Sequence, residues 1–308
     1  MPFKVRPMTP DDRAEVASLI QVSLNFWYRL HGRPPIFSGD PMAADVFFEI
    51  YDALEPGCGI VAQDTRSGLL AGSCFYHPRP HHVGLGIMNV HPNYFGTGAA
   101  SALLRHILAL AAEEGKPVRL TSSALNLDSF SLYTRHGFVP RHLFQDMVLP
   151  VPAGGLHCAH PGLARVRDAA LADVAAMARL ELAVSGISRE LDYRFAIENR
   201  LGCFHVSVYE GDGGAIDGFL FSCTHRSFQM IGPCVARSEV EAEALLLAEL
   251  ERFRGRPALF LLPADQPALV ARMYDRGARN VELHVCQVRG PFQPFAGIST
   301  PAFLPETG

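Results

Sequence analysis

An internal repeat is the strongest constraint on this chain, because two stretches written to one pattern fold into two similar units. Lys4-Val5-Arg6-Pro7 through Asp11-Asp12, followed by Glu15 to Ile20, reads as a short strand entering an amphipathic helix. Ala164 to Arg167, followed by Asp173 to Leu180, reads the same way. Each then carries a hairpin: residues 59–63 and 70–76 around a turn at Asp64 to Gly68, and residues 205–209 and 216–222 around Gly211-Asp212-Gly213-Gly214. Both alternate apolar and polar residues, as half-buried strands do. A third match pairs residues 115–120 with 255–260, each followed by a helical stretch with a tyrosine, Tyr133 before Gly137 and Tyr274 before Gly277. The expectation is two copies, residues 1–150 and 156–308, joined by a Pro/Gly-rich linker at 151–155. Within each copy the patterns run β, α, α, β, β, β, α, β, α, β. Hairpins mixed with helical crossovers imply an α/β chain (α+β mixed), each copy a mixed, mostly antiparallel sheet flanked by helices.

Composition removes several function classes. A net charge of −4 over 308 residues leaves no electrostatic footprint for nucleic acid or an anionic membrane. No apolar run approaches the ~20 residues of a membrane span, and the start Met-Pro-Phe-Lys has no signal-peptide apolar core. The seven cysteines are scattered without a Cys-x-x-Cys pair and read as reduced, buried thiols. A cytoplasmic protein is expected, a monomer or homodimer, with a small-molecule or peptide partner and no metal.

The chemistry concentrates between residues 83 and 138. Residues 84–90 have strand character, Pro92 ends them, and Asn93-Tyr94-Phe95-Gly96-Thr97-Gly98 leads into a helix with Leu103, Leu104, Ile107, Leu108 and Ala111 at helical spacing. A strand, a Gly-x-Gly turn and a helix start gather backbone N–H groups and the positive end of the helix dipole, which favours a phosphate. Glycines keep Cβ atoms from blocking the turn or the approach. The Lys-[Ser/Thr] of a P-loop and the third glycine of a dinucleotide fingerprint are both missing, with Ser101 in the latter place. Downstream, Asn126, Ser129, Phe130 and Tyr133 share one helix face.

Together these residues resemble the GNAT superfamily of N-acetyltransferases, in a tandem form with a degenerate second copy. The resemblance rests on Val90-His91-Pro92, then Phe95 to Gly98 and Ala100, then Asn126 and Leu132-Tyr133 through Gly137-Phe138, with Phe95 standing where that family carries Gln or Arg. It covers about residues 3–149, and the second copy more weakly. It implies acetyl-CoA as co-substrate, held by Met88, Asn89, Val90, Phe95, Gly96, Thr97, Gly98, Ala99, Ala100, Asn126, Ser129 and Tyr133, and direct acetyl transfer to a primary amine. Tyr133 matches the position of the proton donor to the leaving thiolate. The alternative is a non-catalytic acyl-CoA-binding module whose second domain contacts a protein.

The general base stays open at this level. His81 and His82, with His77 in the same loop and His91 at the strand end, suit base work near neutral pH; solvated loop histidines and a water chain are the other readings. Phe26, Trp27 and Tyr28 stand where the resemblance places the acceptor pocket, although aromatics at such spacing also build cores. Asp40 and Asp45 are candidates to attract a cationic amine. In the second copy, Val240 and Ala242 replace Gly98 and Ala100, and Glu239, Glu241 and Glu243 crowd the helix start. Such charges oppose a phosphate, so that copy is expected to bind no CoA. The tail from Pro291 has no helical period.

Overall fold

The periods of the sequence reappear as elements in the computed structural model, which describes residues 2–37, 39–40 and 42–302. The first copy contains β1 (Phe3–Pro7), α1 (Arg13–Leu30), α2 (Asp45–Leu54), β2 (Gly59–Asp64), β3 (Leu70–Pro78), β4 (Val83–Val90), α3 (Ala99–Glu113), β5 (Val118–Ser123), α4 (Leu127–Arg135) and β6 (Val139–Pro150). The second contains β7 (Val166–Asp168), α5 (Val174–Ser185), α6 (Glu190–Glu198), β8 (Phe204–Glu210), β9 (Ile216–His225), β10 (Phe228–Ala236), α7 (Glu239–Leu250), β11 (Pro257–Pro263), α8 (Pro267–Asp275) and β12 (Arg279–Arg289). Both follow the expected order. The tail adds β13 (Ile298–Thr300), antiparallel to β10.

The repeat extends to its bonds. Arg6 clasps Asp12 with two hydrogen bonds of 2.8 Å, and Arg167 clasps Asp173 at 2.8 and 2.9 Å. In each, the aspartate also accepts from a backbone N–H three residues before it, Thr9 or Ala170, at 2.8 Å. The Arg6 bond is the main reason the Asp12 carboxyl is held down at about 2, below its ordinary 3.8, even though partial burial pushes it up. Because the folded value lies below the unfolded one, the stabilisation is full above the unfolded value and fades as pH falls through the folded one. Asp12→Ala is expected to destabilise by about 1–2 kcal/mol near neutral pH, since Asp12 is buried and Arg6 half-buried. Urea denaturation from pH 7 down to 2 should show the gap closing in acid; a gap constant over that range would contradict the pairing.

The described residues form two compact units, 2–78 with 83–118, and 79–82 with 119–302. In the first unit, β1-β2-β3-β4 are antiparallel neighbours. Successive strand residues face opposite sides, and this sorts the helices. Gly72 faces α3, where an added Cβ would lie 3.2 Å from Leu103 Cδ1 and 2.8 Å from the Asn89 carbonyl oxygen. Its neighbour Ser73 pairs with Asn89, which accepts a 2.8 Å hydrogen bond from Ser23 of α1. The second copy repeats the close approach: a Cβ on Gly218 would meet Leu245 of α7 at 2.9 Å.

In the second unit the strand order is β5-β12-β6-β11-β10-β9-β8-β7. The last strand of each sequence copy is therefore inserted among strands of the other: β12 lies between β5 and β6, and β6 between β12 and β11. Met147 and Leu149 of β6 accordingly share a core with Leu245, Leu246 and Leu250 of α7 and Phe260 of β11. Among the described residues no helix is long and apolar enough to cross a membrane, and all seven cysteines are unbridged, five of them buried.

Candidate active site

The route to the turn at Gly96 and Gly98 begins with a slip in register. Cys74 pairs with Met88 but Tyr76 pairs with Leu85, so β4 carries one residue more than β3 across that interval. Such a bulge re-aims the strand beyond it. Past the bulge, Asn89 is buried, its Oδ1 bonded to Ser23 and its Nδ2 without a protein partner.

Residues 91–98 connect β4 to α3. His91 caps a short turn, its Nδ1 accepting from Asn93 N at 3.2 Å, which gives that imidazole a local structural partner. Thr97 Oγ1 donates to the Tyr94 carbonyl at 2.6 Å. Gly96 and Gly98 have φ of +74° and +92°, in the left-handed region that side chains resist. Gly98 is the N-cap of α3, and no side chain caps it. The first helical bond runs from Ala102 N to Gly98 O at 3.0 Å, so the N–H groups of Ala99, Ala100 and Ser101 precede any intrahelical partner. A Cβ built on Gly96 or Gly98 meets nothing within 4 Å. The outer face of the turn is open, and with the helix dipole it forms an anion-favouring concavity.

Phe95 is 50% exposed and packs edge-to-face on Phe26 of α1, centroids 5.9 Å apart. Phe26 thus stands beside the turn. Trp27 instead stacks on His31 at 4.2 Å and meets Tyr28 at 5.1 Å, forming a separate aromatic cluster at the end of α1. Phe37 is buried against Phe47. Asp45 is engaged by Arg13 through bonds of 2.7 and 2.5 Å, and Asp40 accepts from Met42 N at 2.8 Å.

A second set belongs to the other compact unit. Asn126 is the N-cap of α4, its side chain accepting from Ser129 N at 3.1 Å, a local task that fixes the start of the helix. Tyr133 is buried, its ring 5.7 Å from that of Phe138. In the turn 79–82, Arg79 N donates to the His82 carbonyl at 2.8 Å and the Arg79 guanidinium pairs with Asp192 at 2.7 Å. His81 is exposed; His82 is buried. In the first unit, His77 is also buried, its Nδ1 2.7 Å from Glu55 Oε2 and its ring 4.9 Å from that of Tyr51. Nothing in the local pattern around Glu55 marked this pairing, because its partner is 22 residues away.

The corresponding passage in the second copy is built differently. Only residues 237–238 separate β10 from α7. The helix is capped by its own Ser238, which accepts from Val240 N at 3.2 Å. Glu243 is buried against Arg272 at 2.5 Å and Arg276 at 2.7 Å. Among the described residues no group of three or more His, Cys, Asp or Glu is placed to hold a metal ion.

Residues 24–138, which include the bulged strand, the turn and both glycines, match the acetyltransferase (GNAT) family. The chain carries a GNAT acetyltransferase domain. The match of this domain supports acyl transfer as the reaction class. The whole chain also superimposes on solved structures. A candidate acetyltransferase from Pyrococcus horikoshii is 17% identical, with a TM-score of 0.74, covering 99% of this chain and 96% of that one. A GCN5-related N-acetyltransferase from Sphaerobacter thermophilus is 18% identical at a TM-score of 0.64, covering 96% and 98%. A tandem GNAT protein from the clavulanic acid biosynthesis pathway is 14% identical at 0.61, covering 94% and 99%. At these identities the likeness is one of fold, and it spans both copies. No curated protein matches by sequence.

Proposed function

We propose that the protein is an N-acetyltransferase that moves an acetyl group from acetyl-CoA directly to a primary amine of a small molecule or peptide. The observation that carries this reading is the uncapped, glycine-turned start of α3, reached from the bulged strand β4 through residues 91–98. The pyrophosphate would be held by the backbone from Phe95 to Ala100, and the pantetheine by the strand end at Met88, Asn89 and Val90. Asn126 and Ser129 are assigned to cofactor binding, and Tyr133 to protonating the leaving thiolate. An amine of pKa ~10 must lose a proton before it attacks. His81 and His82, which share the turn 79–82, are the candidates to take it. Phe26, Trp27 and Tyr28 are the candidate acceptor contacts, with Phe26 assigned on its packing to the border between acceptor and cofactor.

The site in the second copy would bind no cofactor, since its helix start is capped and its connecting turn is short. Incubation with acetyl-CoA and a panel of amines, with free thiol as the readout, tests the whole reading. The expected result is thiol release that depends on the amine, together with calorimetric saturation at one CoA per chain. Tight CoA binding with no turnover on any amine would point to a binding module instead, and two equivalents of CoA would refute the single site.

A further inference from the structure

A second polar site lies wholly within the unit that contains residues 119–302. A cavity of about 10 Å3, room for one water-sized sphere, is walled by β5, β6, β12, the segment after α5 and the tail around β13. Arg119 of β5 lines it and is 4% exposed. One Arg119 nitrogen donates to the Ser185 carbonyl at 3.2 Å, and the guanidinium also bonds to the Cys286 sulfur. Its Nε has no partner, and neither does the buried Oγ1 of Thr121, two residues along the same strand face. Two donors without acceptors therefore line one small cavity.

The charges around it do not cancel. Arg189, the other guanidinium in the lining, is spoken for by Glu181, whose Oε1 takes bonds from Arg189 Nε at 2.7 Å and from Nη2. The second oxygen of Glu181 accepts from the Tyr193 hydroxyl. Nearby Arg79 and Asp192 neutralise each other. Among the described residues no carboxylate forms an ion pair with Arg119. The Cys286 thiol does not supply the missing charge either, since burial pushes its pKa up despite Arg119. Burial likewise pushes the Arg119 guanidinium down, as expected for a cation taken from water without a counter-ion. Phe292 and Phe295 cover the guanidinium, 5.7 and 5.8 Å from its carbon to the ring centroids, and shield it from solvent.

We propose that this cavity is a binding site for a small monatomic anion, a halide, held by Arg119 Nε and Thr121 Oγ1. A water molecule could accept from both donors but would leave the charge uncompensated, whereas an anion satisfies both. The cavity is too small for phosphate, and the site stands apart from the phosphate-cradling turn in both residues and ligand.

Crystals of the full chain soaked in bromide give the direct test. An anomalous peak in contact with Arg119 Nε is expected; ordered water alone, with no bromide, would overturn the proposal. In solution, unfolding temperature should rise saturably by roughly 2–5 °C when gluconate, too large to enter, is exchanged for chloride at fixed ionic strength. Arg119→Gln should abolish that rise. Should that variant not fold, Thr121→Val, which removes one donor and keeps the shape, should weaken chloride about three- to tenfold. Equal responses to gluconate and chloride in the wild-type protein would count against the site.

Discussion

Gly98→Val is expected to weaken acetyl-CoA about 10- to 100-fold, measured by calorimetry on the full chain, which corresponds to roughly 1.4–2.7 kcal/mol of binding. The structure separates the reasons. A Cβ at this position meets no protein atom within 4 Å, so crowding inside the protein is not among them. One cause is the backbone, held at φ +92°, where a β-branched residue is strained by an estimated 1–3 kcal/mol. The other is the ligand: the open face above Gly98 is where the proposed pyrophosphate approaches the first N–H groups of α3, and a valine would fill it. The two causes are distinguishable. Gly98→Ala carries the strain with a smaller obstruction, so both variants should lose stability while valine loses more affinity. An affinity within twofold of wild type in Gly98→Val would remove this turn from the cofactor site.

Much of the fold is written locally and could be read. The hairpins, the Arg–Asp clasps behind the matching Arg6…Asp12 and Arg167…Asp173 patterns, and the order of elements all arise from residues close in sequence. The turn at Gly96 and Gly98 was legible for the same reason, since positive φ leaves a glycine signature. What depends on distant partners was not. The patterns of β6 and β12 identify them as strands but say nothing of whom they pair with, so the exchange of last strands stayed hidden. Arg119 and Thr121 alternate with Val118 and Leu120, which reads as a strand with one polar, solvated face. That face is instead covered by Ile187 and Phe295, which are far along the chain. Asn126 shows another limit: the motif marks it for a ligand, while the structure gives it the capping of α4.

Tyr133→Phe is expected to lower kcat about 10²- to 10⁴-fold, the range that general acid catalysis supplies, with little change in KM for acetyl-CoA. The substitution is clean because the ring, buried and packed on Phe138, is kept; only the hydroxyl goes, at a stability penalty of about 1 kcal/mol. Its assigned work is to protonate the departing thiolate, whose conjugate acid is near pKa ~8.5 by analogy with cysteine, against ~10 for a phenol. That ordering makes an independent check available. A donor with a more acidic leaving thiol needs the proton less, so the ratio of wild-type to variant kcat should shrink with such a donor. A structural role for Tyr133 would lower both rates alike and leave the ratio unchanged. An unaltered kcat with acetyl-CoA would release Tyr133 from the reaction. The leaving-group series therefore separates proton donation from support of the fold, which the rate with acetyl-CoA alone would not do.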